Sequence, residues 1–186
     1  MDTIHAIESR RSIKKYEDRP VPEEAIRTLL SLAVLAPNHR MTEPWRFYVL
    51  GPEARGRYGA ALGARKARRV EDPAAATAVA AKVEDSHRDL PAMLAVSVVL
   101  DDDPEIREED YAATYMAIEN LCLAATAMGF GTHVKSGGVM DDPRARAAVG
   151  VGEDERIVAT LSLGVPAEIP EPKKRRAASE LTTWVP

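Results

Sequence analysis

Four cations, Arg10, Arg11, Lys14 and Lys15, crowd the stretch SRRSIKKY near the start of the chain, with Ser12 between them. Guanidinium and ammonium groups beside a hydroxyl are the donors a phosphate takes, because charge-assisted hydrogen bonds are roughly twice as strong as neutral ones. A second basic run, KKRR at Lys173 to Arg176, lies near the other end. The chain as a whole is acidic, with 25 Lys and Arg against 29 Asp and Glu and a formal charge of −4. No broad field therefore draws nucleic acid or an anionic membrane surface to it, and any anion site has to be local. Taken alone, the first stretch also reads as a solvated basic turn and the second as a solubilising tail.

Other chemistry is poorly supported by spacing. EDSHRD (Glu84 to Asp89) gathers carboxylates around His87, but no second cluster with ligand spacing accompanies it, so no metal is expected. His133 and Ser136 stand three apart, which puts them on opposite faces of a strand, and no G-x-S-x-G elbow is present. GFG and KSGG do not make a dinucleotide fingerprint. Cys122 is alone within an apolar run, which excludes an intramolecular disulfide and fits a reducing compartment. The opening residues lack the apolar core of a secretory signal, and no stretch reaches the roughly 18 apolar residues of a membrane span. The expectation is a cytoplasmic protein of one domain, residues 1–186, with 166–186 as an extended tail.

The elements that must position these residues follow from periodicity. Asp2 caps a short helix that runs out at SRRS, so the cations sit on its exit turn. Pro22, Glu23 and Glu24 open a second helix with an apolar stripe through Ile26, Leu29, Leu30, Ala33 and Val34, stopped by Pro37. WRFYVL (Trp45 to Leu50) reads as a strand. Residues 52–89, rich in alanine and arginine, predict one or two mostly exposed helices. AMLAVSVVL (Ala92 to Leu100) is apolar on both faces, as a strand covered on both sides would be. Glu108 to Met128 predicts a helix buried by the core or by a second subunit. GTHVKSGG predicts a short strand entering a glycine turn, Asp142 and Pro143 a further helix, and IVATLSLGV (Ile157 to Val165) the last strand. Pro166, Pro170 and Pro172 keep the tail extended, and its apolar end at Trp184 favours docking. The class predicted is α+β with a small, mostly antiparallel sheet.

In order along the chain, RRS with a cation two residues on, VPEEAI opening a helix, LAP before EPWRFYVL, AMGFGTHV, LSLGVP and a basic proline-rich tail resemble the nitroreductase family of flavin enzymes. The likeness spans essentially the whole chain and is nearest to the short members in which AP is followed by an acid or amide and histidine, as in APNH here. It implies a homodimer with FMN at the interface, NADH or NADPH as a transient hydride donor, and a small electrophilic substrate such as a nitroaromatic or quinone. Arg10 and Ser12 would contact the phosphate and ribityl chain with Arg11 close by, joined by one or two of Lys174, Arg175 and Arg176. Two or three such bonds at about 1.5 to 3 kcal/mol each hold a dianion without making the surface basic.

The same resemblance aims Lys14 at the pyrimidine edge of the flavin, where reduction places negative charge, which makes it a tuning group rather than a proton donor. Pro37, Asn38 and His39 would border the ring, His39 from either subunit. Val134, Lys135, Ser136 and Gly137 would run past it with backbone donors. Met41 and Glu43 depart from the pattern, standing where many members carry an asparagine and a glutamine. A flavin carrier with little turnover and a non-flavin interaction module are the other classes the sequence admits.

Overall fold

Turn chemistry and apolar spacing generate the elements one by one. In the computed structural model, which describes residues 1–186, Asp2 accepts from the His5 N–H and starts α1 (Thr3–Ser9). Helix α2 (Glu23–Ala33) buries Ile26, Leu29 and Ala33 and ends before Pro37; Pro22 is its cap rather than its first residue. Strand β1 (Trp45–Val49) follows, then α3 (Pro52–Ala67), α4 (Pro73–Arg88) and β2 (Ala92–Val99). Helix α5 (Pro104–Ala127) begins earlier than Glu108, because Asp103 accepts from the Glu105 N–H and Pro104 fills the first turn. Strand β3 (Gly131–Lys135), α6 (Pro143–Val149) and β4 (Glu155–Gly164) complete the body.

The four strands form one sheet in the order β1-β2-β4-β3, and every ladder is antiparallel. The class is α+β, as expected. Central β2 alternates sides. Leu94, Val96 and Val98 face the core under α2 and α5, whereas Met93 and Ala95 face a second core that also holds Tyr58 of α3 and Ala145 of α6. A strand covered on both faces is the reading its sequence gives.

One expectation is overturned. Helix α3 is not mostly exposed, since it buries Arg55, Gly56, Tyr58, Gly59, Ala61 and Gly63; α4 is mostly exposed, as expected, and buries only His87. The contact is made by small residues, so it leaves no apolar stripe in the sequence. At Gly63 an added side-chain carbon would sit 2.6 Å from the Ala80 carbonyl oxygen, so α3 and α4 meet backbone to backbone. No helix is long and apolar enough to cross a membrane.

Candidate functional site

The basic stretch is held as an extra extended segment against β3. Ser12 bridges Thr132, the Ile13 N–H donates to the Thr132 carbonyl at 2.9 Å, and the Ile13 side chain is buried. Farther on, Tyr16 bridges Pro166 and donates to the Ile13 carbonyl at 2.8 Å, with the Ser162 hydroxyl 2.9 Å away. Burial pushes the Tyr16 phenol up to about 12, so it remains a donor across the working pH range. Anchored at both ends, the segment presents its cations outward.

Those cations and the tail enclose a cleft of about 540 Å³. Its walls are Arg10, Arg11, Ser12, Lys14 and Lys15 on one side and Lys173 and Arg175, with Glu168 and Glu171, on the other. Lys15 binds Glu168 at 2.6 Å and its backbone carbonyl accepts from the Ala167 N–H, which ties the tail to the segment. Arg11 donates to the Glu8 and Arg10 carbonyls, closing the end of α1. Arg10 reaches Glu119 of α5 at 3.6 Å. Lys174 and Arg176 do not line the cleft; Lys173 and Arg175 occupy alternate positions, as side chains on one side of an extended segment do.

Strand β3 adds charge from beside it. Val134 packs into the core, while His133 and Lys135, one strand period apart, share the other face. Burial, with Lys135, Lys14 and Lys173 nearby, pushes His133 down to about 4 and keeps it neutral. Burial likewise lowers Lys135, aided by Lys66 and Lys14. Ser136 and Gly137 follow on the exposed turn, where Gly137 takes a φ of 121° that other residues rarely adopt. His133 and Lys66 were not among the sequence candidates; strand alternation points to the first, whereas nothing local links α3 to this turn.

The third predicted group lies elsewhere. Asn38 accepts from the Glu43 N–H at 2.7 Å, and Thr42 donates to buried Asp110 at 2.5 Å. His39 and Arg40 both bind Glu109, at 2.9 and 3.0 Å. The Pro37–Glu43 loop is thus clamped to the N-terminal half of α5. Glu109 and Glu119 are ten residues apart, about 15 Å along the helix, so one subunit does not bring this loop to Arg10. Met41 and Glu43 hold φ values of 53° and 44°. Left-handed backbone at a non-glycine residue costs roughly 1–2 kcal/mol, and such strain gathers at functional loops. Met41→Asn, which tolerates this conformation, is expected to raise the melting temperature by about 2–4 °C for each 1 kcal/mol relieved.

With this geometry in view, comparison with known proteins is decisive. The family model described as "Nitroreductase family" matches residues 7–165. The chain belongs to the nitroreductase family. Bacillus subtilis (strain 168) YfhC, which bears a provisional NAD(P)H nitroreductase name, is 36% identical over 169 residues, covering 91% of this chain and 87% of its own. The crystal structure of a nitroreductase-like family protein from Bacillus cereus superposes with a TM-score of 0.86 at 28% identity, covering 100% of this chain and 96% of the other. A nitroreductase-fold protein from Desulfovibrio desulfuricans, crystallised with FMN, has a TM-score of 0.75 at 24% identity and covers 100% and 98% of the two chains. That last likeness concerns fold alone.

Proposed function

We propose that the protein is an FMN-dependent NAD(P)H oxidoreductase that acts on small electrophilic acceptors, nitroaromatics or quinones, by a ping-pong sequence in a homodimer. The observation that supports this most directly is the cleft. In an acidic chain, six cations, Arg10, Arg11, Lys14, Lys15, Lys173 and Arg175, line it against three carboxylates, Glu8, Glu168 and Glu171, and Ser12 supplies a hydroxyl. That donor set fits the phosphate of FMN. Only one of the 13 lining residues is hydrophobic, so the cleft does not fit a buried ring unless a second surface covers it. The Pro37–His39 loop of another copy, with exposed Leu35 and Met41 beside it, has the character of such a cover.

When bound, FMN would supply the hydride chemistry between NAD(P)H and the acceptor. Arg10, Ser12 and Arg175 would hold the phosphate end by charge-assisted bonds, and Tyr16 and Ile13 keep their segment in register. The turn Ser136–Gly137 would offer backbone donors to the ring. Lys14, which lines the cleft, would act on its pyrimidine edge and favour the form with more negative charge. Lys14→Ala is therefore expected to retain FMN while lowering its midpoint potential by roughly 30 to 60 mV, since about 1.4 kcal/mol corresponds to 30 mV for two electrons. Redox titration checks this, and an unchanged potential would remove Lys14 from that role.

The test of the whole reading begins with the absorption spectrum of the freshly purified protein, where flavin bands are expected. Steady-state rates with both substrates varied should give parallel reciprocal plots, and intersecting lines would count against alternate occupancy. A yellow protein that NADPH does not bleach would instead be a flavin carrier. One that stays colourless after incubation with FMN would be a non-flavin module.

A further inference from the structure

The Pro37–Glu43 loop is held by more than its ends. Those ends are fixed on the frame: the Ala36 N–H closes the last turn of α2 on the Ala33 carbonyl, and the Pro44 carbonyl accepts from the Val99 N–H of β2 at 2.8 Å. Between them Met41 and Glu43 both stand in the left-handed region, with Thr42 flanked by the two. Backbone of that kind persists only where the surroundings over-determine it. A file of three hydrogen bonds does so here. The Glu43 N–H donates to Asn38 Oδ1, Asn38 Nδ2 donates to Thr42 Oγ1 at 3.1 Å, and the Thr42 hydroxyl donates to Oδ1 of Asp110. Asp110 occupies a core position, opening the buried stripe of α5 that continues through Ala113, Ala117 and Leu121, and it is only 3% exposed. An apolar residue would pack there at no cost, whereas a buried carboxylate costs free energy unless a donor meets it. Glu105 and Glu109 turn outward to Arg40 instead, where salt screens the pairs. The Thr42 bond ends on a buried group and is screened less.

We propose that Asp110 is a positioning residue of the site. Acting through Thr42, it bears the strain of Met41 and Glu43 and so sets where Pro37, Asn38 and His39 stand against the flavin ring of another copy. This role rests on the reading of the loop as the cover of that ring. Asp110 itself touches neither flavin nor substrate; it fixes the shape of the loop that does.

Trypsin cuts after Arg40, inside the loop, which gives a readout that needs no flavin. Apoprotein of the parent and of the variants T42V, T42S and D110N is digested, and cleavage of the Arg40–Met41 bond is followed by mass spectrometry. Valine keeps the shape of threonine without the hydroxyl, so the loop of T42V should open more often by what one hydrogen bond to a carboxylate is worth. Cleavage should be about ten- to 150-fold faster. T42S restores the hydroxyl and should be cut at the parental rate, while D110N, of the same shape but a weaker acceptor, should lie between. Should T42V not fold, D110N against T42S carries the same comparison. In FMN-loaded protein, T42V should keep its FMN content, because the phosphate end is untouched. The visible circular dichroism of its flavin should change, and NADPH should bleach it about ten- to a hundredfold more slowly, the effect of a misplaced ring neighbour. T42S should match the parent in both. A merely structural contact would lower the melting temperature and leave these flavin signals in place. Parental cleavage rates in T42V and D110N overturn the proposal, and so does a loop that opens while the flavin signals stay as in the parent. Protein that takes up no FMN overturns the reading of the cleft and with it the site role of Asp110, whereas the apoprotein digest still shows whether the contact holds the loop.

Discussion

Arg10→Ala is expected to yield a folded protein that purifies with little FMN. The arginine is the last residue before the chain leaves α1, and its backbone N–H already closes the helix on the Ala6 carbonyl, which alanine would do equally well. Its side chain contributes one long ion pair to Glu119, 3.6 Å away and more than half exposed, so deletion leaves no buried charge behind. Surface pairs of this kind contribute about 0 to 1 kcal/mol, and the melting temperature should hardly move. Against a phosphate dianion the same guanidinium makes bonds of about 1.5 to 3 kcal/mol, and losing them weakens affinity by roughly ten- to 150-fold. Flavin content per chain, read from absorbance, and the dissociation constant on adding FMN back both report the effect. Unchanged affinity in a well-folded variant would move the phosphate away from this end of the cleft. Arg11→Ala is a useful contrast, because Arg11 already engages its Nη1 with the Glu8 and Arg10 carbonyls and should show the smaller loss of FMN.

That contrast was not visible in the sequence, where Arg10 and Arg11 are equivalent neighbours. What composition and spacing do reveal are groups whose function is local. The Asp2 cap, the two-faced apolar run of β2 and the period of α2 each depend on residues a turn or a pleat apart, and all three appear where expected. The start of α5 was obscured because DDD carries two messages at once: it ends β2, and its last member, Asp103, caps the helix. The α3 and α4 pairing was hidden for a different reason. Gly59, Gly63 and Ala80 bring two backbones together without the large apolar side chains that a periodicity reading detects. At the site, residue types alone announce the cations of Arg10 to Lys15. That the tail lies beside them, and that Lys173 and Arg175 face the cleft, depends on the bridge from Tyr16 to Pro166, a contact 150 residues apart in sequence.

The same dependence makes Gly131→Ala the most disruptive small change for both arms of the cleft. Gly131 begins β3 opposite Gly164, and its missing side chain leaves the space that Ile13 fills. An added carbon there would lie 2.7 Å from the Ile13 Cβ and 3.0 Å from the Pro166 Cγ, closer still to Ile13 Cγ1. Neither neighbour can yield cheaply. Ile13 is β-branched, 3% exposed and tied by its N–H to Thr132, and Pro166 is the residue from which the tail departs. Relief therefore requires the segment Arg10–Tyr16, the start of the tail, or both to shift outward, which moves the two walls of the cleft apart. Overpacking of this kind costs about 1–3 kcal/mol, or roughly 2–12 °C in melting temperature for a chain of this size. FMN affinity should fall too, although no flavin-facing side chain has been altered. A structural defect elsewhere would produce the first effect without the second. The double variant Gly131→Ala, Ile13→Ala separates the cases, because removing Cγ1, the atom nearest the added carbon, should leave the pair less damaged in both stability and affinity than the two single penalties summed. If the two substitutions instead add their penalties, Ile13 is not what transmits the damage, and the cation segment is held by something other than its seat on β3.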